Sequence, residues 1–163
     1  MILDTAKAYL LLGSNLGERE QYIERALQLI KGRIGEITSK SAIYETAAWG
    51  NTNQPGFLNL AIEVVTPLKP LTLLKVVLGI EEDLGRIRLE KWGARLIDID
   101  IILYGNEIVD LAELQIPHPE MQNRKFVMQP LAEIAPLVIH PVLNQNMSTI
   151  LAGLNDPLTV EKR

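Results

Sequence analysis

Phe57-Leu58-Asn59-Leu60-Ala61-Ile62-Glu63-Val64-Val65-Thr66 alternates with the period of two that a β-strand imposes. Leu58, Leu60, Ile62 and Val64 share one face, and Phe57, Asn59, Ala61 and Glu63 share the other. Downstream, Pro70 opens a helix over Leu71 to Leu84, which Gly85 stops. A further strand follows from Leu96 to Tyr104 and ends at the turn Gly105-Asn106. Upstream lies the loop Ala47 to Pro55, preceded by a loosely alternating strand from Ile37 to Thr46. Before that, Ile23, Ala26, Leu27 and Ile30 fall at i, i+3, i+4 and i+7, the stripe of an amphipathic helix. Asn15 followed by Glu18 marks its start. The short apolar run Ala8 to Leu12, ended by Gly13-Ser14, is a buried strand. The order β-α-β-β-α-β predicts an α+β, ferredoxin-like domain, an antiparallel sheet with helices on one face. The other face is expected to carry a site. Beyond the sheet the chain is punctuated by Pro117, Pro119, Pro130, Pro136 and Pro141. Short helices are expected there near Phe126–Leu131 and Ser148–Leu154, as a C-terminal extension.

The 163 residues predict a single domain over 1–163, large enough to bury a core without staples. With no cysteine, neither a disulfide nor a thiolate metal site is possible, which fits a reducing, cytoplasmic setting. The N-terminus has neither the basic nor the apolar region of a secretion signal, and no apolar run reaches the length of a membrane span. The net charge of −4 argues against a generic nucleic-acid binder. The expectation is a monomer acting on small molecules, with no nucleic acid and no membrane as partner.

The segment Lys91-Trp92-Gly93-Ala94-Arg95-Leu96-Ile97-Asp98-Ile99-Asp100-Ile101-Ile102 carries the chemistry. Two aspartates at i and i+2 of a strand share a face, about 7 Å apart at the backbone. Ile97, Ile99, Ile101 and Leu103 then point into the core. Two like charges on an apolar strand are costly unless a cation neutralises them, and hard divalent ions such as Mg²⁺ take oxygen ligands. Alone, Asp-x-Asp is as readily an exposed polar face. Its neighbours change the balance: Arg86, Arg88, Lys91 and Arg95 face only Glu90 within ten residues. Acids for a metal beside cations for phosphate oxygens are the equipment of phosphoryl transfer. His118, between two prolines, and Arg124 are further candidate phosphate contacts, although a lone histidine is more often structural. Phe57 and Asn59, two residues apart on one strand face, could stack on and hydrogen-bond a flat heterocycle, whereas the plain reading of Phe57 and Phe126 is core packing. Gly13-Ser14-Asn15-Leu16-Gly17 matches neither a P-loop nor a dinucleotide fingerprint.

Together with Tyr44-Glu45-Thr46, Asn53 to Asn59, Tyr104 to Glu107 and Pro117-His118 to Phe126, these segments resemble the 6-hydroxymethyl-7,8-dihydropterin pyrophosphokinase family of folate biosynthesis. The Trp-Gly-x-Arg-x-x-Asp-[LIV]-Asp block is its most specific string. The resemblance implies the same ferredoxin-like fold, ATP as donor, two Mg²⁺ ions and a dihydropterin acceptor. It implies metal binding by Asp98 and Asp100, and ATP or catalytic-loop contacts by Arg86, Arg88, Trp92, Arg95, His118 and Arg124. It places Glu81 and Ile101 near the adenosine, and Thr46, Trp49, Phe57, Asn59, Asp98 and Phe126 at the pterin. Glu113 and Gln115 stand where the enterobacterial form has arginine and threonine at the nucleotide. Two rival readings share the fold. A binding module without chemistry would not need the aspartates and their cations. An RNA-recognition module would need an aromatic, basic central strand, where this chain has Ile97-Asp98-Ile99-Asp100.

Overall fold

The structure, a computed structural model, describes residues 4–15, 17–46, 56–85 and 96–163. Strands β1 (Ala6–Ser14), β2 (Glu36–Lys40), β3 (Tyr44–Thr46), β4 (Phe57–Thr66) and β5 (Asp98–Tyr104) alternate with helices α1 (Arg19–Arg33) and α2 (Pro70–Asp83) in the βαββαβ plan. A two-stranded ribbon, β6 (Val109–Asp110) and β7 (Gln115–Ile116), follows, then a single 3₁₀ turn at Met121–Asn123. The chain closes with α3 (Lys125–Ile134), α4 (Met147–Ala152) and β8 (Val160–Lys162). The main sheet runs β5-β1-β4-β3-β8, with β2 also on β4, and every pairing is antiparallel.

The apolar stripes account for the layers. Ile23, Ala26, Leu27 and Ile30 of α1 and Leu73, Val77 and Ile80 of α2 pack on Leu58, Leu60, Ile62 and Val64 of β4 and on the matching faces of β1 and β5. The second face is divided. At one end α3 and α4 cover it through Val127, Met128, Leu131, Met147 and Ile150, set against Tyr9, Leu11, Ala61, Ile102 and Leu103. Among the described residues the other end is open.

Three local expectations change. The strand expected over Ile37 to Thr46 is two pieces. Between them Ser41 keeps contact with β4 differently: its N–H donates to the Ala61 carbonyl (2.9 Å) and its hydroxyl accepts from the Ala61 N–H (3.0 Å). The side chain thus stands in for a ladder carbonyl. Helix α1 begins at Arg19, with Glu18 rather than Asn15 at its cap and no side-chain capping bond. Leu103 does not follow Ile97, Ile99 and Ile101 into the first core. The β1–β5 register slips between Leu10↔Ile101 and Tyr9↔Leu103, and this bulge at Ile102 turns Leu103 to the opposite face.

Candidate active site

Asn59, Gly13 and Asp98 occupy one row across the three central strands, because Gly13 is the register partner of both others. One step along the sheet, Ala61, Leu11 and Asp100 form the next row. The period of two puts all six on the second face of the sheet. The missing side chain at Gly13 makes the floor: a Cβ there would lie 2.9 Å from the Asn59 Oδ1.

Above this floor is a cavity of about 330 Å³ lined by Leu11, Gly13, Thr46, Phe57, Asn59, Asp98, Asp100, Arg124, Phe126 and Leu158. Its volume is at the lower end of the range for small-molecule sites. Phe57 comes from β4 and Phe126 from the first turn of α3. The Arg124 guanidinium carbon lies 5.9 Å from the centre of the Phe126 ring. Two buried polar atoms of the cavity lining, Thr46 Oγ1 and Asn59 Nδ2, have no partner among the described residues. A buried polar group left unmatched costs about 1–3 kcal/mol, so this pocket is built for a ligand with its own donors and acceptors.

Asp98 and Asp100 also line a second cleft, of about 630 Å³, which extends over the edge of β5. Glu81, Ile101, His118 and Pro119 line it, with Leu74 and Leu78 of α2 and the ribbon residues Glu113 and Gln115. Glu81 is buried, and its Oε2 accepts the Ile99 N–H at 2.7 Å, fixing the strand segment between the two aspartates. His118 is tied to the same strand by its N–H to the Ile102 carbonyl (3.0 Å). Its Nδ1 accepts from the Glu120 N–H (3.3 Å), which leaves the proton of the neutral ring on Nε2. Burial holds its pKa below the ordinary 6.5; Asp100 and Glu120 pull upward and Arg124 downward.

Among the described residues no cluster of three or more His, Asp or Glu side chains is arranged to hold an ion. Two carboxylates at the junction of two clefts suit an ion that keeps waters and takes its remaining ligands from a substrate. That is the habit of Mg²⁺ beside phosphates.

Of the residues singled out in the sequence, Thr46, Phe57, Asn59, Asp98, Asp100, Arg124 and Phe126 meet in the first cavity. Glu81, Ile101 and His118 meet Asp98 and Asp100 in the second. Trp49, Arg86, Arg88, Lys91, Trp92 and Arg95 lie outside the described residues. Sequence reasoning missed Leu11, Leu74, Leu78 and Leu158, because a leucine carries no sign of a site until the fold is known.

The family model for 7,8-dihydro-6-hydroxymethylpterin-pyrophosphokinase (HPPK) matches residues 9–136. The chain belongs to the HPPK family. The matched range contains both clefts except Leu158. The 2-amino-4-hydroxy-6-hydroxymethyldihydropteridine pyrophosphokinase of Aquifex aeolicus is 44% identical over 137 residues, covering 84% of this chain and 85% of its own length. The protein of the same name from Methylorubrum extorquens is 40% identical over 157 residues, covering 96% and 98%. Among solved structures, wild-type Plasmodium falciparum HPPK-DHPS with pteroate superposes with a TM-score of 0.75 at 18% identity. That match covers 91% of this chain and 44% of the Plasmodium chain, and it shows the HPPK fold. Among the described residues no helix is long and apolar enough to cross a membrane.

Proposed function

We propose that the chain transfers diphosphate from ATP to the hydroxymethyl group of 6-hydroxymethyl-7,8-dihydropterin, releasing AMP, with the pterin in the smaller cavity and ATP in the larger cleft. The observation that carries this division is that Asp98 and Asp100 line both. A carboxylate pair shared by two adjoining clefts is where an acceptor hydroxyl and a donor phosphate would meet. The activity matches the pyrophosphokinase family to which the chain belongs, and the acceptor is an intermediate of folate synthesis, in keeping with a folic acid synthesis protein among the relatives.

The smaller cavity suits a flat, polar heterocycle. Phe57 and Phe126 offer ring faces, and stacking on a planar heterocycle is worth about 1–3 kcal/mol per ring by analogy with nucleobases. Asn59 and Thr46 read the ring edge, satisfying the amide and hydroxyl that have no partner among the described residues. Asp98 and Asp100 would hold two Mg²⁺ ions, which would supply neutralisation of phosphate charge beside the acceptor hydroxyl. His118 is neutral at pH 7 and donates its Nε2 proton to a phosphate oxygen. Arg124 contributes fixed positive charge between the clefts. Glu81 and Ile101 border the adenosine. Arg86, Arg88, Trp92 and Arg95 complete the ATP side and Trp49 the pterin side, on the strength of the family resemblance alone.

The bond broken tests the reading. ³¹P NMR of protein, ATP, Mg²⁺ and 6-hydroxymethyl-7,8-dihydropterin should show AMP rising in step with a pterin diphosphate. ADP with a pterin monophosphate, or no pterin-dependent turnover, would refute it.

A further inference from the structure

The smaller cavity has one wall that comes from the end of the chain, outside the residues matched by the family model. Leu158 lines it beside Phe57 and Phe126. The segment that carries Leu158 is held at both ends. On one side is Asp156: its Oδ2 accepts the Lys125 N–H (3.1 Å) and its Oδ1 accepts the Leu158 N–H (3.0 Å). Lys125 is the first residue of α3 and Phe126 the second, and Arg124 at the helix cap supplies no side-chain bond. A single carboxylate thus caps α3 and sets the backbone of two cavity walls, Phe126 and Leu158. On the other side, β8 pairs with β3, with Val160 opposite Thr46, another residue of the cavity. The Arg163 N–H closes the strand onto the Ile43 carbonyl (2.8 Å).

We infer that Leu158 is a specificity-determining residue for the pterin and that Asp156 is the positioning residue that sets it against Phe126. The inference rests on the assignment of this cavity to the pterin. Leu158 presents a branched apolar side chain to a planar ring, so its truncation loses contact with the acceptor and with nothing in the ATP cleft. Asp156 acts only through the backbone of Leu158 and of α3. Its carboxyl is held below the usual range by the Leu158 and Lys125 N–H groups, so it is ionised throughout the neutral range.

Leu158→Ala should raise KM for 6-hydroxymethyl-7,8-dihydropterin about tenfold, the usual scale for removing apolar contact from a pocket. kcat and the KM for ATP should stay within about twofold. Leu158→Met, which keeps the volume, should restore wild-type KM. Asp156→Ala should raise the pterin KM in the same way, and the double variant Asp156→Ala/Leu158→Ala should exceed Leu158→Ala only by the share that acts through Phe126, well short of the product of the two single effects. The chain has no cysteine, so Leu158→Cys creates a unique thiol. Its alkylation by iodoacetamide should be slowed several-fold by dihydropterin with a non-hydrolysable ATP analogue, and not by the analogue alone. Unchanged pterin KM in Leu158→Ala, or alkylation indifferent to dihydropterin in a protein that turns over, would overturn the inference while leaving the function standing. A wild-type protein without pterin turnover would overturn the function, and the inference with it.

Discussion

Replacing Gly13 by alanine probes the pterin pocket without removing a polar group. Gly13 is a paired residue of β1, with no positive φ to forbid a side chain. The added Cβ would sit 2.9 Å from Asn59 Oδ1, whereas the next atom, the Leu58 carbonyl oxygen, is at a comfortable 3.7 Å. Ordinary contact begins near 3.4 Å, so the amide must retreat by about half an ångström. A hydrogen bond stretched that much from about 2.9 Å passes the outer limit of good geometry. Losing one buried bond costs about 1–2 kcal/mol, or roughly five- to thirtyfold in pterin affinity. Stability should hardly move, because the displaced group is the tip of a side chain and alanine is better than glycine in a strand by roughly 0.5–1 kcal/mol. Calorimetric titration of dihydropterin and of an ATP analogue into Gly13→Ala, Asn59→Ala and the double variant gives the cycle. The two substitutions should be strongly non-additive for the pterin and silent for the nucleotide. Wild-type pterin affinity in Gly13→Ala, or additive losses, would refute the placement of Asn59 at the ring edge.

Asp98→Asn and Asp100→Asn should each lower turnover by about three decades, if each metal interaction is worth several kcal/mol, with little change in the Mg²⁺-free melting temperature; near wild-type rates would remove the aspartates from the site. Thr46→Val deletes a buried hydroxyl that has no partner among the described residues. It should leave stability equal or higher by about 1 kcal/mol while weakening pterin about fivefold, read by urea unfolding and pterin titration. Burial holds both His118 and His140 below the ordinary 6.5. As pH falls through about 6.5 the unfolded chain therefore takes up protons first, and folding stability declines. Glu63, where burial is outweighed by the Thr38 and Tyr9 hydroxyls and Lys7, and Asp156 are carboxyls held low. Their stabilisation is lost only at more acid pH, below the ordinary 4.5 and 3.8. Urea midpoints should thus be lower at pH 5.5 than at pH 7.5, and a flat or rising midpoint would contradict the histidine assignment.

The elements that were legible in the sequence are those whose period repeats long enough to be read. The stripes on β4 and α1 and the Pro70-to-Gly85 helix set the βαββαβ order, and the Asp-x-Asp falls on a strand, where it lines both clefts. What was not legible depends on pairing across the sheet. Nothing in Ile37 to Thr46 announces that Ser41 will exchange a hydroxyl for a ladder carbonyl. Alternation alone sends Leu103 inward, and only its partner strand reveals the bulge that turns it away. The row Asn59-Gly13-Asp98 unites residues from three distant segments, so the site could be guessed by type but not by adjacency. Leu158 was invisible because its place depends on Asp156 reaching back 31 residues to α3.

Strand β5 lies at the border of the sheet, where exposed amides and carbonyls invite a strand from another molecule. Here that border is partly occupied: the Glu81 carboxylate takes the Ile99 amide and the His118 amide takes the Ile102 carbonyl. The contacts that steady the two aspartates therefore also guard against polymerisation. Colloidal behaviour and the geometry of the two clefts share the same few atoms in this chain. A change at Glu81 would uncover an adhesive border, so its first symptom should be turbidity at high protein concentration.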